Sequence, residues 1–192
     1  MIASGDWMNP TRACGLAAYG AATLCCGIAW VRSRIFPKTS SPAGWLTLLE
    51  AALLLDMAFN GRWLLHQFFV DVAQHHNEYA ARRAPQVVVD TLLVALLFFA
   101  AFRALRRFRK SPAALLAVLG GMLSIFTWCA EVVSLHQVDS VLYHPVGPWM
   151  AVCFLWVSAC LVTSVSILID AHAARVTASR SESASSELPA SR

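Results

Sequence analysis

The chain has 192 residues, of which 58% are hydrophobic and only 14% charged, with a net charge of +4. An ordinary soluble domain carries about a quarter charged residues, so a water-facing fold of this size would lack the polar residues to cover itself, and no separate soluble catalytic domain is expected within these residues. The positive charges gather in blocks between apolar stretches, a placement that speaks for orientation in a lipid bilayer and against nucleic acid as a partner.

Five apolar segments follow one another, at 13–31, 44–66, 86–103, 113–135 and 148–170. Each approaches the roughly 20 residues that an α-helix needs to cross about 30 Å of hydrocarbon. They predict an all-α integral membrane protein, a bundle of about five transmembrane helices. The opening MIASGDWMNP holds an Asp and neither Lys nor Arg, so no cleavable signal peptide is expected and the first helix is retained.

Each segment is opened by a proline: Pro10, Pro42, Pro85, Pro112 and Pro148. Proline suits the first helical turn, where its missing N–H has no intrahelical partner anyway. Ser41 and Ser111 precede two of these prolines and are placed to cap free amides. Tryptophans prefer the two bilayer interfaces, and Trp45 and Trp63 bracket the second segment at a helical separation of about 27 Å. Trp7 and Trp30 bracket the first in the same way, and Trp149 opens the fifth.

Orientation follows from the connections. Arg32, Arg34 and Lys38, then Arg103, Arg106, Arg107, Arg109 and Lys110, then Arg175, Arg180 and Arg192 fall on one side, against Arg12, Arg82 and Arg83 on the other. The richer side is cytoplasmic by the positive-inside rule, which places the N-terminus outside. Residues 1–174 are expected to form the transmembrane domain. The Ser-, Ala- and Glu-rich residues 175–192 have too little apolar surface to offset the entropy of ordering and are expected to be a disordered cytoplasmic tail. Small residues, Gly15, Ala18 and Ala22 on the first helix and Gly120 and Gly121 on the fourth, are expected to let helices approach closely. The Ala, Leu and Arg bias suggests a bacterial plasma membrane. All six cysteines lie in apolar segments without C-x-x-C spacing, as small buried residues do.

With that orientation the second and fourth helices both finish on the outer side, and both finish in polar, histidine-containing sequence. One cluster holds Asp56, Asn60, Arg62, His66, Asp71, His75, His76, Glu78, Tyr79, Arg82 and Arg83; the other holds Glu131, His136, Asp139, Tyr143 and His144. Helical spacing stacks Asp56 with Asn60 and Arg62 with His66. It also aligns His136, Asp139 and Tyr143 if the fourth helix continues, and allows a Glu78–Arg82 ion pair on a short interfacial helix. Asp56, near the bilayer centre by count, must be neutral or paired, and Glu131 comes within reach of Arg62 or His66 if the two helices pack together.

These residues give three functional expectations. Arg62, His66, Glu131, His136, Asp139 and Tyr143 form a candidate ligand-binding site of a non-catalytic accessory component, in a larger membrane complex or a homo-oligomer. His66, His136 and Asp139 could instead hold a transition metal or haem in an oxidoreductase subunit, although the sequence contains no H-x-x-E-H, E-x-x-H or C-x-x-C-H element. Glu50, Asp56 and Asn60 are candidate proton-relay groups: Asp56 and Glu50 would pass protons towards the outer site of an oxidoreductase, and Asp56 would serve a small proton-coupled transporter.

Overall fold

The computed structural model describes residues 9–35, 41–75, 83–133 and 136–186. The expectations placed on Trp7, Lys38, His76, Glu78, Tyr79, Arg82 and Arg192 lie outside the described residues, as do the side chains of His66, His75, Arg83 and His136. The described chain is almost wholly helical: α1 (Pro10–Ile35), α2 (Ala43–Phe59), α3 (Gly61–His75), α4 (Arg83–Phe108), α5 (Pro112–Val133), α6 (His136–Leu142) and α7 (Ala151–Ser186), with a two-stranded hairpin, β1 (Pro145–Val146) and β2 (Trp149–Met150), before α7. Of these, α1, α5 and α7 are each long and apolar enough to cross a membrane.

Prolines and caps mark the starts, with one exception. Pro10 and Pro112 are first helical residues, Pro42 precedes α2, and Pro85 lies in the first turn of α4. Ser41 Oγ accepts the Ala43 N–H at 3.3 Å, as a capping serine should. Ser111 acts differently, since its carbonyl accepts the Leu115 N–H while its hydroxyl donates to the Asp170 carboxylate. Pro148 does not open a helix. It sits in the hairpin turn beside Gly147, whose φ of 64° needs a residue without a Cβ, and α7 starts three residues later.

Three other expectations are corrected. The 44–66 segment is two helices, broken at Asn60, which adopts φ 58°, ψ 37° and donates its N–H to the Asp56 carbonyl. That is a left-handed helix cap, a conformation asparagine tolerates better than most residues, and it removes the helical stacking of Asn60 on Asp56. The fourth segment also stops early: α5 ends at Val133, Asp139 belongs to the short α6, and Tyr143 follows α6 in a turn with its N–H on the Asp139 carbonyl. Finally, α7 runs to Ser186, so residues 175–186 are helical. Extending an existing helix avoids the cost of nucleation, and Ala, Arg, Ser and Glu do not oppose it strongly.

Four helices form the core, and three hydrogen bonds fix their directions. Arg12 Nη2 donates to the Ala58 carbonyl at 2.8 Å, tying the start of α1 to the end of α2. Met150 N–H donates to Thr11 Oγ1 at 3.1 Å, placing the start of α7 beside the start of α1. Trp156 joins the end of α5 to the start of α7. The starts of α1 and α7 and the ends of α2 and α5 therefore share one end of the bundle.

Close approach depends on small residues. A Cβ on Gly15 would lie 2.7 Å from Met57 Cε and 2.9 Å from Trp156 Cε3. One on Gly120 would lie 2.8 Å from the Thr163 backbone nitrogen and 3.0 Å from the Ala159 carbonyl. Ala22 is fully buried among Tyr19, Leu53, Met57, Val152, Trp156 and Cys160, while Cys26, Ala29, Leu46, Ala117 and Ile167 pack a second layer. The six cysteines are free thiols.

Candidate functional site

The break at Asn60 builds the site. By ending α2 in a left-handed residue, the chain begins α3 at an angle that returns Arg62 towards Asp56, six positions earlier, instead of continuing one helical face. Arg62 Nε donates to Asp56 Oδ2 at 2.8 Å, and Arg62 Nη1 donates to Glu131 Oε2 on α5. Gly61 makes the return possible, because a Cβ there would stand 2.8 Å from Asp56 Oδ1.

Helix α7 closes the cluster from the other side. Trp156 Nε1 donates to Glu131 Oε1 at 2.8 Å, and the Arg62 guanidinium lies over the Trp156 ring, 5.3 Å from its centre. Both Glu131 oxygens are thus occupied. The Arg62 and Glu131 side chains are 10% and 1% exposed, so this is an interior ion cluster. A buried charge is tolerated when it is paired and hydrogen-bonded, and here one guanidinium serves two carboxylates. Arg62 Nη2 and the Tyr19 hydroxyl, both buried, have no hydrogen-bond partner among the described residues. The Tyr19 phenol lies within electrostatic range of Arg62, Glu131, Glu50 and Cys160.

Tyr143 and Asp139 stand beside the cluster. The Tyr143 side chain is 42% exposed, but partial desolvation of its phenol raises the pKa above the ordinary value, the Glu131 and Asp139 carboxylates push the same way, and Arg62 opposes them. Asp56, Arg62 and Glu131 are therefore brought together, and Tyr143 lies within electrostatic range of Glu131, Asp139 and Arg62. The contributions expected of His66 and His136 rest on side chains outside the described residues. Among the described residues, no three His, Cys, Asp or Glu side chains converge to hold a metal ion.

The three relay candidates part company. Asp56 is held by the ion pair and Asn60, whose backbone N–H closes the helix cap, is exposed, whereas Glu50 lies about 9 Å back along α2 from Asp56 and is fully buried. Its one described polar contact is the Cys160 thiol at 3.9 Å, and Oε1 has no partner among the described residues. Sequence reasoning missed Trp156, Tyr19 and Cys160. A signal existed: Cys153, Trp156, Cys160, Thr163, Ile167 and Asp170 recur every three or four residues on α7, and all are buried. Trp156 also stands inside an apolar run, away from the segment ends where tryptophan is usual.

No protein-family model, curated protein or solved structure matches the chain. The functional reading therefore rests on the site and the helices that hold it.

Proposed function

We propose that the chain crosses a bacterial plasma membrane five times, with its N-terminus outside and its C-terminus in the cytoplasm. In this reading it is a non-catalytic accessory component that recognises a small ligand or a partner subunit at the Arg62–Glu131 end of the bundle. Large apolar side chains on the outward faces support the membrane: Leu24, Leu48 and Phe98 are 69%, 69% and 75% exposed, and faces of this kind are stable against lipid. Arg32 and Arg34 end α1, and Arg103 to Lys110 join α4 to α5, remote from the Arg62 end.

The observation that carries the recognition reading is the unpartnered Arg62 Nη2 together with an unpartnered Tyr19 hydroxyl within electrostatic range of the same guanidinium. A buried donor without an acceptor costs about 1–3 kcal/mol, and an acceptor supplied by a ligand or partner recovers it. The cluster already holds two carboxylates to one guanidinium, so an anion is repelled, and a neutral polar group such as a carbonyl or amide fits. Native mass spectrometry of the full chain, released gently from its own membrane, tests this. A discrete bound mass or stoichiometric partner, lost in Arg62→Met, is the expected result. An unliganded wild-type chain identical to the variant would reduce the cluster to an interhelical staple.

Glu50 favours a second reading, proton-coupled transport, because it is a fully buried carboxylate without a cation partner among the described residues. Proton uptake by proteoliposomes that is abolished in Glu50→Gln would support it. Uptake equal to that of empty vesicles would remove it.

A further inference from the structure

Helix α4 packs chiefly on α5, and the two leave a groove of about 290 Å³ lined by Val94, Leu97, Phe98, Ala101, Met122 and Phe126. The lining is almost purely apolar. One stripe of α4 leads out of it: Phe98, Phe102 and Arg106 follow at intervals of four and lie one above another. The Arg106 guanidinium lies over the Phe102 ring, 4.3 Å from its centre, a cation–π contact that sets a positive charge on this stripe. Arg103, Arg107, Arg109 and Lys110 surround the same end, all of them exposed. None of the five pairs with a carboxylate among the described residues.

We infer that this groove is a binding site for an anionic glycerophospholipid of the cytoplasmic leaflet. One acyl chain lies between α4 and α5, and the phosphate sits among Arg106, Arg109 and Lys110. The dimensions agree, since Val94 and Arg106 are separated by about 18 Å of helix and one leaflet supplies about 15 Å of hydrocarbon. The charges agree as well. A zwitterionic headgroup would bring its own cation into a cluster of five, whereas basic sites between helices on the cytoplasmic side suit anionic headgroups. The positive-inside rule accounts for the number of basic residues here, but not for an apolar depression on the same helix, whose lining reaches Ala101, about 7.5 Å of helix before Arg106.

The inference rests on the membrane reading and is independent of the Arg62 cluster. The test places a reporter in the groove with Phe98→Trp in the full chain, reconstituted in phosphatidylcholine vesicles. These contain an equal fraction of either dibrominated phosphatidylglycerol or dibrominated phosphatidylcholine, and bromine quenches an indole it touches. Subtracting the signal of the unsubstituted chain removes the native tryptophans. The anionic lipid is expected to quench the introduced indole preferentially, and Arg106→Gln, Arg109→Gln and Lys110→Gln are each expected to lower that preference by up to about fivefold. Equal quenching by the two lipids, or a preference that survives the triple variant, would overturn the lipid site while leaving the membrane reading intact. Quenching by neither lipid would overturn the membrane reading itself.

Discussion

Replacing Arg62 by Met removes the one cation of the buried cluster among the described residues and leaves Asp56 and Glu131 in a site where their side chains are 15% and 1% exposed. In contact, a guanidinium and a carboxylate attract by about 4 kcal/mol at an effective dielectric of 20. Much of that offsets desolvation, but truncating one partner of a buried pair forfeits the attraction while the desolvation remains, and typically costs about 3–5 kcal/mol. The Arg62→Met chain should be destabilised by that amount. Glu131→Gln should cost about 1–3 kcal/mol, less than Arg62→Met, because the Asp56–Arg62 pair persists and the amide oxygen still accepts from Trp156, while the amide NH2 faces Arg62 Nη1. Combining Arg62→Met with Asp56→Asn and Glu131→Gln should restore most of the loss, since no uncompensated charge remains. Equilibrium unfolding of the full chain in bicelles provides the measurement. If Arg62→Met lies within about 1 kcal/mol of the parent, as exposed pairs do, or if the triple variant is worse than the single one, the cluster is not the buried charge balance described.

Other substitutions separate packing from polarity. Gly120→Ala pushes a methyl against the Thr163 and Ala159 backbone, which cannot move aside as a side chain can, so a loss of about 1–3 kcal/mol is expected in the same unfolding assay; a neutral result would refute the α5–α7 contact. Trp156→Phe keeps the ring under Arg62 but deletes the donor to Glu131, and should cost about 0.6–2 kcal/mol, less than Arg62→Met. Asn60→Val should be worse than Asn60→Gly by about 1–2 kcal/mol, because a β-branched residue resists the left-handed conformation; equal stabilities would mean that the break does not depend on Asn60. Elemental analysis and visible absorbance of the purified chain test the redox alternative: a stoichiometric metal or a Soret band that is lost in His66→Ala or His136→Ala would turn the reading towards a redox subunit.

Much of the bundle could be read from residue order. Hydropathy and proline placement located α1, α4 and α5, because in these segments the backbone obeys its local preferences. The meeting of Arg62 with Glu131 was also legible, since expensive charges in apolar runs must find one another. The two breaks were harder to see. Asn60, Gly61 and Arg62 form a polar, turn-prone step, but apolar residues continue on both sides of it, and the hairpin at Pro145–Met150 interrupts a run that already begins with a proline. Local capacity to turn is visible at such positions, but whether a turn is taken depends on what it brings into contact.

The order of residues by itself determined an all-helical chain, apolar stretches of membrane length and the need for buried charges to be paired. These follow from composition, period and solvation cost, which are properties of each segment alone. Only the tertiary structure decided that Arg62 takes both Asp56 and Glu131, that Trp156 completes the set, and that Glu50 stays apart with Cys160. The reason is geometric: a left-handed residue at Asn60 redirects every side chain after it, and the partners of a redirected guanidinium lie on helices far away in the chain.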